Sequence, residues 1–455
     1  MLRSKAIEYK INPPGPSFLH IEMATIFLLH GVKNYLKDNA VVACIVPDSV
    51  LNGKHHEPFR EEKYNYPLSP VNFQLNEVWK IDKHTFKNEA IVLIGNKGRH
   101  SSWRYENDFR KIPAKIVRKD DTKDIALYNN KLGSRTAWDE KNVINETDIQ
   151  HAADFQQGAD IMPRTFYCFD VQPTKRNSSL VKSITLDSDK SFVISDAHTE
   201  KDFKIEDCYV ENDVIFDTYI SKLLTPFDLQ MPIKSVLPIR KANTRYELIP
   251  YDEVLIRNDD LKYIVDKISE RKSGYNSNWE RLNTRNKLVR QSSALKLEGY
   301  YVFVGTSGSK LCAAYRNAQD LNVEKMIIDQ TLNWVHVGSE DEALYLTGLF
   351  NSDSINEAIK IFQPRGQQGE RHIHSLPYEV TPVFNSENLL HKEVVLQTKQ
   401  IINEYNHLKT SLSSFRIGLQ PENGTLATRR TTARRKIKEL STYPAFETAC
   451  QKIYS

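Results

Sequence analysis

The sequence predicts an α/β domain, then an α+β domain, then a C-terminal helical region. Two continuous apolar stretches rich in β-branched residues, 41–46 and 90–94, predict buried strands within the first hundred residues. From about residue 156, short alternating segments recur between turn residues and predict a second, strand-rich region. Over the last seventy residues, apolar side chains recur at helical spacing. The chain is therefore expected to fold as more than one domain.

The composition is that of a globular protein from a reducing compartment. The chain has 455 residues, 40% of them apolar and 26% charged, and its mean hydropathy is −0.52. Its apolar runs are shorter than the roughly 18 residues of a membrane span. Five scattered cysteines favour neither a disulfide framework nor a zinc site. We therefore expect a cytoplasmic protein without a membrane or metal partner; the net charge of +4 neither requires nor excludes nucleic acid.

Residues 1–115 form the predicted α/β domain. A helix beginning at Pro16 or Ser17 is predicted by apolar residues three and four positions apart, namely Leu19, Met23, Ile26, Phe27 and Leu36. The strand at 41–46 follows a turn and is expected to be buried on both faces of a parallel sheet. A polar surface helix is then predicted, containing His55, His56, Glu57 and Arg60.

The remaining three regions differ in composition and in the pattern of their apolar residues. Residues 116–155 are charged and poor in apolar runs, so they predict a linker or surface excursion. Residues 156–385 alternate short strand-like segments with helices and form the predicted α+β domain. Residues 386–455 are predicted to be helical, with an apolar seam along the first helix and a basic helix from about Ala427.

Four blocks within 18–95 carry a family resemblance: FLHIEMA, NYLKDN, CIVPDSVL and FKNEAIVLIG. In this order they resemble the distal half of the catalytic domain of adenine-N6 DNA methyltransferases of restriction-modification type. The resemblance implies a partial Rossmann-like methyltransferase sheet over 1–115. It also implies that Phe86, in the FKNEA block, stacks on an adenine flipped out of the duplex, replacing the partners that the base loses.

The triplet Asn12-Pro13-Pro14 allows two interpretations. In the family, an Asn-Pro-Pro-aromatic loop follows a strand, and its oxygens accept hydrogen bonds from the target amine. Here the fourth residue is Gly15 and the preceding AIEYKI predicts only a weak strand. The alternative is a proline-rich turn that caps the following helix.

The glycine-rich loop by which such enzymes bind S-adenosylmethionine is missing from the sequence. In the family, Asp/Glu-x-Phe-x-Gly-x-Gly follows a strand, because glycines let the backbone approach the cofactor. The densest glycine cluster here, 305–310, lacks phosphate-loop spacing and predicts a tight turn. We therefore expect S-adenosylmethionine to reach the reaction through a partner chain that carries the cofactor-binding half of the domain.

Residues 156–385 resemble the target-recognition region of type I and type IIG enzymes, through segments such as GADIMPRTFYCFDV and ALYLTGLFNSDSINEAIK. The resemblance implies that this region binds double-stranded DNA. Helix 428–438 adds six cations before the first acid, Glu439, and three of them lie four positions apart on one face. The candidate DNA contacts are Arg164, Arg285, Arg290, Arg365, Arg429, Arg430, Arg434, Arg435 and Lys438.

These observations predict the DNA-recognition and partial catalytic subunit of an adenine-N6 DNA methyltransferase, completed by a partner. Exposed half-sheets bury their edges against other chains, so the complex is expected to be obligate. The alternatives are a specificity subunit without catalytic duty and a truncated methyltransferase. The sequence offers neither a metal-ligand cluster nor a nuclease motif.

Overall fold

The structure, a computed structural model, divides into two compact units. It describes residues 2–12, 23–65, 67–82, 85–86, 89–98, 111–132, 135–141, 154–174, 177–194, 202–242, 245–270, 288, 291, 294–308, 310–363, 365–366, 369–370 and 376–454. The first unit comprises residues 1–151 and 356–383, and the second comprises 152–355 and 384–455. Segment 356–383, predicted as part of the α+β domain, therefore folds with the first unit.

The helices and strands are numbered in chain order. The helices are α1 (Leu2–Glu8), α2 (Met23–Tyr35), α3 (Glu57–Arg60), α4 (Tyr251–Arg257), α5 (Asp259–Ser269), α6 (Glu340–Asn351), α7 (Asp353–Lys360), α8 (Leu376–Val380), α9 (Leu389–Ser411), α10 (Ser413–Gly418), α11 (Leu426–Lys438) and α12 (Tyr443–Tyr454). The strands are β1 (Val41–Pro47), β2 (Phe73–Ile81), β3 (Ala90–Lys97), β4 (Lys111–Val117), β5 (Thr122–Leu132), β6 (Arg135–Asp139), β7 (Gln156–Gln157), β8 (Phe169–Pro173), β9 (Ser178–Ser183), β10 (Cys208–Glu211), β11 (Ile215–Tyr219), β12 (Leu224–Thr225), β13 (Asp228–Leu229), β14 (Ile233–Val236), β15 (Ile239–Ala242), β16 (Arg245–Leu248), β17 (Tyr300–Gly305), β18 (Ala313–Asn317), β19 (Met326–Ile328), β20 (Leu332–Val337), β21 (Arg365–Gly366) and β22 (Gly369–Glu370).

A six-stranded sheet in the order β1-β3-β2-β4-β5-β6 organises the described part of the first unit. Strand β3 runs antiparallel to both β1 and β2, so β1 and β2 point the same way. Strand β2 pairs in parallel with β4, and the remaining pairs are antiparallel. The predicted strands at 41–46 and 90–94 are confirmed, but the parallel pairing expected for the first is wrong. That strand lies at the end of the described sheet, with a single neighbour.

Segment 116–155, predicted as a linker, instead supplies strands β5 and β6 to this sheet. The buried side chains of Leu127 and Trp138 join the core of the unit. The sequence hides this contribution, because the apolar run of β5 is only four residues long, 125–128, and polar residues flank it on both sides. Residues 142–153 lie outside the described part of the chain.

The second unit is α+β, as predicted. It contains the sheets β10-β9-β8, β14-β11-β19 and β18-β17-β20-β7, together with two-stranded ladders. Helix α6 packs against α9 and against β18. A Cβ on Gly348 would lie 2.0 Å from the Thr398 hydroxyl oxygen, so glycine is what allows the two helices this approach. Asn351 accepts a hydrogen bond from the Ala313 amide (3.1 Å) and donates to the Ala313 carbonyl (2.7 Å). The LTGLFNS segment thus connects α6 to β18 by hydrogen bonds.

The predicted C-terminal helices are confirmed as α9 to α12. Along α9 the predicted seam is buried at Val394, Ile401 and Tyr405, whereas Leu390 and Leu412 at its ends are exposed. Within the described residues, every helix is too short or too polar to cross a membrane.

Candidate functional site

Phe86 lies in the loop between β2 and β3, where 43% of its side chain is exposed. Residues 83–84 and 87–88 of this loop lie outside the described part. An aromatic ring held at the surface between two paired strands is available to stack on a planar ligand. The predicted stacking of Phe86 on a flipped adenine stays a prediction.

Asn12 is exposed and follows a helix. The segment predicted as a weak strand belongs to α1 and the turn after it, in which Lys10 has a φ of 57°. Lys5 and Glu8 form an ion pair one helical turn apart (2.7 Å), which favours the helix. The expectation of a strand before Asn12 is therefore wrong, while Pro13 and Pro14 lie outside the described residues.

One face of the β1–β3 pair is apolar and open to solvent. Val41 and Ile45 of β1 are 72% and 58% exposed, and Ala43 between them is exposed as well. Register places Ile94 opposite Ala43 and Val92 opposite Ile45, and both of these β3 residues are only partly buried. We call Val41, Ala43, Ile45, Val92 and Ile94 the open face. The prediction that the strand at 41–46 is buried on both faces is wrong.

Charged groups bound the open face on the β2 side. Trp79 is paired with Val92, and Glu77 with Ile94, so both lie on the same face of the sheet. Lys115 of β4 forms an ion pair with Glu77 (3.2 Å) and lies over the Trp79 ring. An apolar centre with a charged rim is the usual composition of a surface that binds another protein.

The opposite face of the sheet belongs to the core. Val42, Cys44 and Val46 alternate with the exposed residues of β1 and pack into the cluster that contains Leu29 of α2.

Helix α2 buries Ile26, one of the residues whose spacing predicts the helix, but Met23 and Phe27 of the same set are exposed. Tyr35, eight positions after Phe27, is exposed too.

The segment predicted as a polar surface helix is buried. Arg60 donates to the carbonyl oxygens of Val50 (2.8 Å) and Gly53 (2.9 Å) and to the Thr136 hydroxyl (3.1 Å). Burial lowers the pKa of Arg60 to about 9. Glu57, whose pKa burial raises, pairs with Arg135. Arg135 also pairs with Glu379 of α8 (2.7 Å). The polar side chains of this segment thus form hydrogen bonds and ion pairs inside the unit, because buried charges need such partners.

The basic helix α11 turns its arginines inward. Arg429 and Arg430 are only 2% and 7% exposed. Arg429 donates to the carbonyl oxygens of Lys222 (2.6 Å), Leu419 (3.2 Å) and Gly424 (3.3 Å). Burial lowers the pKa of Arg429 to about 10. Arg430 donates to the carbonyl oxygens of Ser307 (2.9 Å), Leu224 (3.1 Å) and Ser221 (3.2 Å). The prediction that these two arginines contact DNA is wrong, since their donors are committed to the protein interior.

Arg434 points inward from the next turn of α11, whereas Lys438 lies exposed at the end of the helix. Arg434 donates to the carbonyl oxygens of Asn351 and Leu311, and burial lowers its pKa. Lys438 and Lys310 both pair with Asp353. Burial raises the pKa of Asp353, but hydrogen bonds from the two lysines outweigh this effect and hold the pKa well below its ordinary value. Arg430 and Arg434 of the predicted stripe therefore anchor the helix, whereas Lys438 at its end is exposed and stays a candidate DNA contact. Arg435 is exposed and stays a candidate DNA contact.

The glycine cluster 305–310 holds Arg430. A Cβ on Gly305 would lie 2.8 Å from one guanidinium nitrogen of Arg430, and the Ser307 carbonyl accepts from another. Gly308 has a φ of 126°, a conformation that glycine adopts without strain. This turn therefore binds the guanidinium group of Arg430, and because that group occupies the turn, it does not fit S-adenosylmethionine.

The other predicted DNA contacts divide into one buried residue and three whose side chains are not described. Arg164 is buried and pairs with the buried Asp329 (2.8 Å), so the prediction of a DNA contact is wrong for it. Arg285 and Arg290 lie outside the described residues. Arg365 begins β21, but its side chain is not among those described. Where the structure describes them, His, Cys, Asp and Glu residues form no group of three that could hold a metal ion.

Comparisons with known proteins rest on structure alone. No protein-family model and no curated protein matches the sequence. The fold is similar to that of the Type IIL restriction-modification enzyme MmeI, solved in complex with DNA, at 11% identity and a TM-score of 0.51. That alignment covers 99% of this chain and 52% of MmeI, so the chain spans about half the length of that enzyme.

Two further solved structures align with most of this chain. The type IIG restriction endonuclease BpuSI aligns at 11% identity and a TM-score of 0.29, over 95% of this chain and 49% of that one. DrdV, solved as a DNA complex, aligns at 9% identity and a TM-score of 0.36, over 88% and 41%. These two scores are too low to carry an argument. The MmeI alignment shows a likeness of fold to a restriction-modification enzyme.

Proposed function

We propose that this chain is the DNA-recognition and partial catalytic subunit of an adenine-N6 DNA methyltransferase in a restriction-modification system. The observation that carries the proposal is the likeness of fold to a DNA-bound Type IIL enzyme over 99% of the chain. The described β1-β3-β2 arrangement, with β3 antiparallel to its neighbours, supports a partial Rossmann-like methyltransferase sheet in the first unit.

Within this proposal, Phe86 stacks on the flipped adenine. Its exposure at the β2–β3 loop supports this role, because extruding a base exposes both of its faces and an aromatic ring can replace one stacking partner. S-adenosylmethionine is bound by a partner chain in this proposal, because the sequence lacks the family's Asp/Glu-x-Phe-x-Gly-x-Gly loop. The second unit and Arg285, Arg290, Arg365 and Arg435 supply the contacts to double-stranded DNA.

Substitution of Phe86 tests the catalytic part of the proposal. With the partner present, Phe86→Ala is expected to lower methyl transfer to DNA about ten- to hundredfold, the range that corresponds to one lost stacking contact. The affinity for DNA is expected to change less than about threefold, because phosphate contacts dominate it. Phe86→Tyr keeps a ring and is the matched control. Methyl transfer that is equal in all three proteins would contradict the role of Phe86.

The alternative is a non-catalytic specificity subunit. The helix that precedes Asn12 favours it, because the target-binding loop of the family follows a strand. Under this alternative the chain binds DNA with the salt dependence of phosphate contacts but supports no methylation with any partner. Methyl transfer that depends on both chains and on Phe86 would eliminate it.

A further inference from the structure

In the described part of the first unit, the open face and the free edge of β1 leave the sheet incomplete. β1 ends the described sheet, so about half of its backbone N–H and C=O groups point away from β3. Val41, Ala43 and Ile45 stand beside that edge with apolar side chains in solvent. A native sheet edge is usually protected by charge, proline or a bulge, and among these β1 carries only the terminal Pro47.

The connection into β1 indicates which kind of element is missing. Helix α2 packs against β1 and leads directly into it, as the helix of a βαβ crossover does. Such a crossover needs a first strand, parallel to the second and in the same sheet. In the described residues before α2, the chain forms the helix α1 and a turn. The edge of β1 is the position that a parallel strand from elsewhere can fill.

We infer that the β1 edge and the open face are the docking surface for a partner chain that carries the cofactor-binding half of the methyltransferase sheet. The partner adds a parallel strand at β1 and covers Val41, Ala43 and Ile45 with apolar side chains. This inference rests on the proposed function. The extent of the MmeI alignment supports this occupant over a second copy of the chain, because that enzyme contains about as much chain again as this protein aligns with.

Hydrogen exchange and titration test the surface directly. The probe is a candidate partner chain that carries a strand followed by Asp-x-Phe-x-Gly-x-Gly. Upon mixing, the β1 amides that exchange quickly in the chain alone are expected to become protected, whereas the core strands of the second unit keep their exchange rates. Ile45→Lys is expected to weaken partner binding at least about tenfold, because it would bury an unpaired ammonium group.

Ile256→Lys is the matched control, since Ile256 is an exposed isoleucine in α4 of the second unit. It is expected to bind the partner as the unmodified chain does. Circular dichroism is expected to find both variants folded, because both side chains lie in solvent. Three results would overturn the inference: unchanged partner binding by Ile45→Lys, unfolding of that variant alone, and self-association of the chain that Ile45→Lys abolishes.

The outcome is separable from that of the proposed function. A complex that forms through β1 but leaves DNA unmethylated supports the docking surface and rejects the catalytic role. Methylation by the mixed chains that is indifferent to Ile45→Lys supports the function and rejects the surface.

Discussion

The open face of the first unit and the arginine face of α11 in the second unit are opposites in solvent exposure. In the first, side chains that ordinarily lie in a core are exposed: Val41 is 72% and Ile45 58% accessible. In the second, side chains that ordinarily lie in solvent are buried: Arg429 and Arg430 are 2% and 7% accessible. In both places the exposure of the side chains thus departs from what is usual for their residue types, and it does so in opposite directions. In the described residues the open face is uncovered, whereas the donors of the arginine face are hydrogen-bonded within the second unit.

This contrast changes where nucleic acid is expected to bind. A cluster of cations with free donors attracts phosphate, but the donors of α11 that face inward are already hydrogen-bonded to carbonyl oxygens of the second unit. The helix therefore stabilises the loops around 221–224 and 305–311. Contacts to DNA are instead expected from exposed cations such as Arg435.

The largest expected effect separates the two faces of the first sheet. Ile91 is buried in β3, and Ile45 is exposed in the neighbouring β1. Ile91→Ala is expected to lower the free energy of unfolding by about 4 kcal/mol through lost burial and a cavity, whereas Ile45→Ala is expected to cost less than about 1 kcal/mol. Urea unfolding of the isolated chain measures both. Equal losses would mean that the open face is covered in the free protein.

A slightly smaller effect separates the two sides of α11. Arg430→Met is expected to lower the free energy of unfolding by about 3 kcal/mol, because three buried carbonyl oxygens lose their donors and only part of this cost is offset by removing a buried charge. Arg435→Met, one turn further along and exposed, is expected to change it by less than about 0.5 kcal/mol. If Arg435→Met proved the more damaging, the inward orientation of the helix would be incorrect.

The smallest effect concerns the joint between α9 and α12, and it depends on pH. Glu404 accepts hydrogen bonds from the hydroxyl (2.7 Å) and amide (3.0 Å) of Thr442, and from the amide (2.9 Å) and hydroxyl (3.0 Å) of Ser441. These bonds, led by that from the Thr442 hydroxyl, lower the pKa of Glu404 from 4.5 to about 2. A lowered folded-state pKa stabilises the protein above the ordinary value, and the contribution is lost as pH falls towards 2.

Glu404→Gln is therefore expected to cost about 1 kcal/mol at pH 7, after allowance for solvent screening. The difference from the unmodified chain is expected to shrink as pH falls from about 5 towards 2. Unfolding curves at several pH values give this difference, and Glu422→Gln, at a carboxylate in the same unit, is a suitable control. A penalty that stays constant across this range would exclude the carboxylate as its source.

The sequence predicts local structure here better than exposure. Strands 41–46 and 90–94 and the C-terminal helices are found where β-branched runs and helical spacing indicate them. The inward orientation of α11 could not be predicted, because the acceptors for Arg430 lie 123 to 209 positions away in the chain. Periodicity shows that a helix has an apolar or a basic side, but carbonyl oxygens occur at every residue and leave no signal in the sequence.

The same limit applies to the candidate site. The pattern FKNEA predicts a functional role for Phe86, and the side chain of Phe86 is 43% exposed. The open face was hidden, because VVACIV looks the same whether its second face is covered by the chain itself or by another protein. The short apolar run of β5, flanked by polar residues, similarly concealed a strand within the predicted linker.

Methyl transfer by the separate and mixed chains tests the central claim most directly. This chain, a candidate partner chain that carries the glycine-rich loop, and an equimolar mixture are each incubated with labelled S-adenosylmethionine and double-stranded DNA. N6-methyladenine in the DNA is then quantified. We predict product from the mixture, little from either chain alone, and a ten- to hundredfold loss when the mixture contains Phe86→Ala. Methylation by this chain alone, or a mixture that binds DNA without modifying it, would contradict the account.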